Sequence, residues 1–223
     1  IWSKLDHPNI LPLIDSFSSE GYIVGVSVLA ENGNLQSYIS RNGKLTENLA
    51  KRLFKQLSLA TLYLHDVAGV AHLDIKLENI LIKKSFDIYL CDFGMSFCIK
   101  IPKVTEEIGE GFDGKDQFCC GSLTSLPPEM FSTALLPDNP NSEETNFWMK
   151  KKQDVWALGI VLYAMISGKL PFSDDFIPRL QHSIVSGDYA PLHENVAKDL
   201  NSLIASLLSK NPSDRPSLKE ILE

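Results

Sequence analysis

The segment His72-Leu73-Asp74-Ile75-Lys76-Leu77-Glu78-Asn79-Ile80-Leu81-Ile82 packs Asp74, Lys76, Glu78 and Asn79 into six positions and then runs into apolar residues. Phosphoryl transfer needs such a set. It calls for a carboxylate to orient the nucleophilic hydroxyl, a cation for the migrating group, and oxygen ligands for Mg²⁺. Asp92-Phe93-Gly94 follows thirteen residues after Asn79, at the end of the next apolar run. A carboxylate followed by glycine at a strand end can reach a metal while the backbone turns sharply. Each piece alone is weak. Asp-Phe-Gly by itself is a strand-ending turn, His72 a hydrogen-bonded core histidine, and Asn79 a turn residue. Their common order and spacing carry the inference.

These residues need elements to hold them. Ile80 to Ile82 and Ile88 to Leu90 are short apolar runs around polar Lys83 to Asp87, which predicts a hairpin. Ile10 to Phe17 and Tyr22 to Val28 read as two further strands, with Ser18 to Gly21 as their turn. Glu31-Asn32-Gly33-Asn34 reads as a turn and cap opening a short helix that ends near Gly43. Thr46 caps the next helix, whose Leu49, Leu53, Phe54, Leu57, Ala60 and Leu64 share a face. Residues 95 to 126 lack periodicity and read as a long loop. From Asp154 onward the pattern is helical. Val155 to Ile166 is apolar all round, and Gly168 and Pro171 stop it. Leu200, Leu203, Ile204, Leu207 and Leu208 mark another helix, and Ser217-Leu218-Lys219-Glu220 is a capping box opening a last one.

Composition narrows the function classes. The 223 residues carry 21 Lys and Arg against 28 Asp and Glu, a net charge of −7. That balance is a poor match to nucleic acid or to an anionic membrane. The longest apolar stretch, Val155 to Ile166, is shorter than the ~20 residues a bilayer span requires. The basic triplet Lys150-Lys151-Lys152 reads as a solvated loop. Cys91, Cys98, Cys119 and Cys120 form no C-x-x-C pair, so neither a zinc site nor a disulfide framework is indicated. Reduced thiols in a cytoplasmic or nuclear protein are expected.

The segment at His72 resembles the protein-kinase catalytic loop H-R-D-L-x-x-x-N, and Asp92-Phe93-Gly94 resembles the D-F-G metal motif. Pro127-Pro128-Glu129 is similar to A-P-E, and Asp154-Val155-Trp156-Ala157-Leu158-Gly159 to the start of the family's central helix. Asn211-Pro212-Ser213-Asp214-Arg215-Pro216 is similar to its late arginine motif, and His7-Pro8-Asn9-Ile10 to the segment before the fourth small-lobe strand. The resemblance implies an α+β, protein-kinase-like fold with a mostly helical large lobe and a remnant of the small-lobe sheet. Residues 1–28 would end the small lobe, 29–33 would be the hinge and 34–223 the large lobe.

It implies the following roles. Asp74 would orient the substrate hydroxyl or take its proton, Lys76 would contact the transferring phosphoryl group, and Asn79 and Asp92 would bind Mg²⁺. Val28 and Ala30 would bond adenine through their backbones, with Ser27 as gatekeeper and Leu81 as the floor under the base. Asn34 and Glu78 are counted with the residues around the nucleotide. Ser122 would bond back to Asp74 and Lys76, Glu129 and Arg215 would form a structural ion pair, and Asp154 would brace the catalytic loop. Lys76 two residues after Asp74, and Cys120-Gly121-Ser122-Leu123, follow the Ser/Thr pattern. Gly168-Lys169-Leu170-Pro171-Phe172 and Gly187-Asp188-Tyr189 look most like the calcium/calmodulin-dependent and AMP-activated group. The implied function is a Ser/Thr protein kinase in signalling. It would transfer the γ-phosphoryl of ATP, with Mg²⁺, to a protein substrate bearing a Ser or Thr acceptor.

Departures qualify this. Leu73 stands where the family has an arginine that pairs with an activation-loop phosphate, so phosphorylation there should matter less. Glu106, Glu107, Glu110, Asp113 and Asp116 in that loop read as a solvated acidic stretch. Asn34 and Ala164 stand where basic-directed kinases often carry carboxylates, while Glu78 remains; a preference for arginine upstream of the target is thus weakened. The stretch from Phe131 to Gln153 is longer than usual, with Asp138 to Ser142 as an exposed insertion. No G-x-G-x-x-G and no V-A-I-K lysine precede the hinge, and the chain starts at Ile1 without Met. The expectation is therefore a fragment, feeble or inactive alone, of an ATP- and Mg²⁺-dependent kinase. The alternatives are a pseudokinase serving as a binding or scaffold module and a small-molecule phosphotransferase of related fold.

Overall fold

A computed structural model describes residues 1–99, 122–132, 135–136 and 142–223. The expectations at Glu106 to Asp116, at Cys119 to Gly121 and at Asp138 to Asn141 lie outside the described residues. Two strands, β1 (Leu13–Ser19) and β2 (Tyr22–Ser27), form an antiparallel hairpin. Its turn places Glu20 and Gly21 at φ 47° and 83°, a conformation glycine adopts without steric cost. Ile14, Phe17, Tyr22 and Ile23 are exposed, so this hairpin stands outside the core. The first strand starts at Leu13, not Ile10. Ile10 and Leu11 are buried and drawn away from it: Ile10 bridges Leu90, and the Leu11 N–H donates to the Leu90 carbonyl at 2.9 Å.

Helix α1 (Leu35–Asn42) begins where the Asn34 side chain accepts the Ser37 N–H at 2.8 Å. Helix α2 (Glu47–Leu62) is capped by Thr46 and runs into a π-helical turn over Tyr63–Ala68, which Gly69 closes at φ 67°. Strand β3 (Val70–Ala71) follows, then the loop that carries Asp74, then β4 (Ile80–Ile82) and β5 (Ile88–Leu90) as the expected hairpin. Strand β6 (Phe97–Cys98) pairs with β3, so the loop expected from residue 95 contains a strand at its start and a helical turn at Leu123–Ser125.

Helix α3 (Glu143–Ser167) has 25 residues and starts well before Asp154. Ser142 caps it by accepting the Thr145 N–H, and Glu143 and Glu144 complement the dipole of its first turn. The apolar run from Val155 marks only its buried half. Its first turns are amphipathic and so escape a search for continuous apolarity. The basic triplet is therefore helical, not a solvated loop, and Lys150 is buried. Helices α4 (Ile177–Ser186), α5 (Lys198–Leu207) and α6 (Leu218–Leu222) complete the lobe. Helix α4 lies in the stretch read as helical but was not singled out there; Pro178 lies in its first turn, and it buries only Leu180 and Ile184. The capping box at Ser217 and Glu220 forms as expected.

One core joins these elements. Trp156, Leu158, Leu162 and Met165 of α3 are fully buried, packed with Leu53 and Leu57 of α2, Ile204 and Leu207 of α5, and the inward Ile80, Ile82 and Ile88 of the hairpin. Gly159 permits the close approach of α3 to the end of α5: a Cβ there would lie 2.8 Å from Leu208 Cδ2 and 2.9 Å from Leu207 Cβ. The core thus gives the β4–β5 hairpin and the loop ahead of it a rigid seat. No helix among the described residues is long and apolar enough to cross a membrane.

Candidate active site

The loop from His72 to Asn79 is held from below by Asp154, which is fully buried in α3. Its Oδ2 accepts from the His72 N–H at 2.8 Å and His65 Nε2 at 2.7 Å, and its Oδ1 accepts from the Leu73 N–H at 2.8 Å. The expected brace is present, and His65 is a member that sequence reasoning missed. The only signal for it was a polar residue beside Leu64 at the buried end of a helix. Leu73 sits at φ 66°, a left-handed conformation that costs a residue with a Cβ about 1–3 kcal/mol. The Asp154 bond to its amide holds it there. Its side chain is buried.

His72 is neutral. Burial pushes its pKa below the ordinary 6.5, against opposing pulls from Asp154, the Cys91 carbonyl, Asp74 and Asp92. Its Nδ1 accepts the Asp74 N–H at 3.3 Å, so the proton lies on Nε2, which donates to the Cys91 carbonyl at 3.1 Å. The ring therefore links Asp74 to the strand end before Asp92.

Asp74 is buried among polar donors. Its Oδ2 accepts from Lys76 Nζ at 2.7 Å and Asn79 Nδ2 at 2.9 Å, and its Oδ1 from the Ser122 N–H at 3.2 Å. Ser122 thus reaches Asp74 as expected, but through its main-chain amide. Asn79 Nδ2 also donates to the Asp74 carbonyl at 2.9 Å. With its nitrogen turned to Asp74, the Asn79 carboxamide presents its oxygen the other way. The Cys91 N–H donates to the Asn79 carbonyl at 3.0 Å and the Cys91 thiol does so at 3.3 Å, which ties this loop to the residue before Asp92. Burial, and then the neighbouring Asp92, push the Cys91 thiol up to about 11, so it stays protonated as a donor. Asp92 itself is exposed at φ 67°, and its Oδ1 accepts the Gly94 N–H at 3.2 Å. Phe93 packs on the His72 ring with centroids 5.1 Å apart.

The other expected residues divide. Residues 29–33 are hydrogen bonded to β4: the Asn32 N–H donates to the Ile82 carbonyl at 3.1 Å and the Ile82 N–H to the Gly33 carbonyl at 2.8 Å. Leu81 lies half-buried on the face of β4 opposite Ile80 and Ile82. Ser27 ends β2 opposite Leu13, and Val28 follows it exposed. Ala30 turns its carbonyl to the Gly33 N–H at 3.1 Å. Asn34 bridges Leu81 through its backbone, while its side-chain oxygen is committed to capping α1. Glu78 is exposed on a single helical turn, Leu77–Asn79. Glu129 and Arg215 form the expected ion pair as a bidentate contact at 2.7 and 2.6 Å, both side chains buried.

The donor set fits Mg²⁺. No group of three or more His, Cys, Asp or Glu able to cage a metal occurs among the described residues. Mg²⁺ does not need one, since it keeps waters and takes one or two protein oxygens together with substrate phosphates. The outward Asn79 carboxamide oxygen and the exposed Asp92 carboxylate are hard oxygen donors of that kind.

A mostly helical lobe that presents a braced Asp, a Lys two residues on, an Asn and a second Asp at a strand end is the lobe of a protein kinase. The family model described as protein kinase domain matches residues 1–223, and the chain belongs to that family. It is 35% identical over 218 residues to testis-specific serine/threonine-protein kinase 3 of Homo sapiens, covering 97% of this chain and 73% of that protein. It is 32% identical over 225 residues to the probable cell cycle serine/threonine-protein kinase CDC5 homolog of Encephalitozoon cuniculi (strain GB-M1), covering 100% of this chain and 43% of that protein. To serine/threonine-protein kinase PLK4 of Danio rerio it is 31% identical over 225 residues, covering 100% of this chain and 21% of that protein. The chain therefore spans less than half the length of the last two relatives.

Proposed function

We propose that this chain carries the catalytic loop and metal-binding residues of an active Ser/Thr protein kinase that uses Mg-ATP. The observation that carries the reading is the buried Asp74 carboxylate, met by three donors among the described residues: Lys76, Asn79 and the Ser122 amide. A carboxylate so held is fixed in orientation. It can accept the hydrogen of a Ser or Thr hydroxyl, help worth on the order of 10²–10⁴-fold. Lys76 has three N–H donors, one on Asp74, and offers the others to the transferring phosphoryl oxygens. Asn79 and Asp92 would hold Mg²⁺, whose charge neutralises the phosphates when bound. Val28 and Ala30 supply the hinge backbone for adenine, Leu81 lies under the base, and Ser27, Asn34 and Glu78 stand around the pocket.

Leu73 favours a second reading, a family member that binds partners without catalysis, because the position lacks the arginine that would read a phosphate. Both readings are separated by assaying the full-length protein with radiolabelled ATP, Mg²⁺ and a mixed Ser/Thr peptide pool. Transfer that Asp74→Ala abolishes, while Mg-ATP still raises the melting temperature, supports catalysis. No transfer by the unsubstituted protein, or transfer that survives Asp74→Ala, would refute it. Binding of nucleotide at 100 times Kd should add about 2.7 kcal/mol.

A further inference from the structure

The first turns of α3 do something that the central helix alone would not. Phe147, Lys150 and Lys151 are three and four residues apart and so share a face. The Phe147 ring lies 6.2 Å from the Phe97 ring, tilted by 36°. The buried Lys150 holds its Nζ 4.9 Å from the centroid of the same Phe97 ring, and Lys151 Nζ lies 5.3 Å from that of Phe147. Phe97 belongs to β6, a strand of two residues that, among the described residues, pairs with the two residues of β3. So short a two-stranded pairing is marginal by itself. Yet β6 begins five residues after Asp92, and Ser96 just before it donates its hydroxyl to the His72 carbonyl at 3.3 Å.

We propose that Phe147 and Lys150 are positioning residues that clamp β6 through Phe97, and thereby fix the backbone leading back to Asp92. This is the work a cation at position 73 would share; there the side chain is a buried Leu, and Lys150 is a buried cation that does meet the segment. The ring–ring contact and the cation over the ring face act on one side chain, and the low-dielectric setting strengthens the second. The clamp needs no modification to form. Its consequence for phosphoryl transfer rests on the kinase reading above; its effect on β6 does not.

The test is amide hydrogen exchange on the full-length protein, read at Ile99, whose N–H donates to the Gly69 carbonyl at 3.0 Å across the β3–β6 pair. Ile82 and Leu90 of the neighbouring hairpin serve as references. In Phe147→Ala, Ile99 should exchange about tenfold faster with both references unchanged, Lys150→Met should give a smaller increase, and Phe147→Tyr should restore protection. Unchanged exchange at Ile99 overturns the clamp. So does an equal rise at all three amides, which would make Phe147 a general packing residue. In the kinase assay, Phe147→Ala should raise KM for Mg-ATP severalfold with kcat changed less. An unaltered KM beside a loosened Ile99 overturns the link to Asp92. If the unsubstituted protein transfers no phosphate, the kinase reading fails, and the exchange result alone decides the clamp.

Discussion

Asp154→Asn is the most informative single substitution, because it changes charge and donor pattern without changing volume. Three donors converge on this buried carboxylate, two on Oδ2 and one on Oδ1. A carboxamide can turn its oxygen to only one side. With the oxygen facing His65 and His72, the amino group meets the Leu73 N–H, and that donor is stranded at a cost of about 2 kcal/mol. The two surviving bonds lose their charge assistance, about 1 kcal/mol each. A neutral side chain is cheaper to bury, which returns part of this. The net expectation is a loss of about 3 kcal/mol, or a melting temperature lower by about 6–12 °C for a domain of this size. Leu73, freed from the bond that holds it at φ 66°, should relax, and Asp74 with it. Scanning calorimetry reads the first effect; hydrogen exchange at the Leu73 amide reads the second. A melting temperature within about a degree of the unsubstituted protein, with Leu73 still protected, would refute the idea that this brace shapes the loop. Asp154→Ala, which strands all three donors, should be worse than Asp154→Asn.

Two further outcomes follow from buried charge. Glu129→Ala leaves the Arg215 guanidinium buried without its carboxylate and should cost about 3–5 kcal/mol by calorimetry; a cost under about 1 kcal/mol would mean the Ser209, Lys152 and Lys210 carbonyls that Arg215 also contacts suffice. His72 has a folded pKa below its unfolded value, so the unfolded chain binds the extra proton and stability falls as pH drops below about 6.5. Above that pH its contribution is complete. His72→Gln should flatten the fall measured by urea unfolding between neutral and mildly acid pH. His7, shifted the same way by burial, should add a part that His7→Gln removes. An unchanged slope in both variants would sink the assignment.

Several elements were legible because their signals are local. The β4–β5 hairpin shows as two apolar runs around a polar turn, α1 and α2 as capped periodic stretches, and the last helix as a capping box. Asp74, Lys76, Asn79 and Asp92 were nominated by type and spacing. Helix α4 and the first turns of α3 were not, since each buries few residues and its stability comes from what it packs against. The pairing of β3 with β6 was hidden as well: two-residue strands leave no period to read.

The linear chain by itself determined which groups of chemistry are available and in what order, because hydrogen-bonding capacity, charge and local periodicity belong to each residue and its near neighbours. Tertiary structure decided how those groups are held. Asp154 lies more than eighty residues from the amides it binds, Glu129 binds Arg215 at a similar remove, and Phe147 reaches Phe97 across fifty. Such partners carry no mark of one another along the backbone. They meet only because burying α3 at the centre of the core brings distant segments against it, and polar groups taken out of water there must find partners.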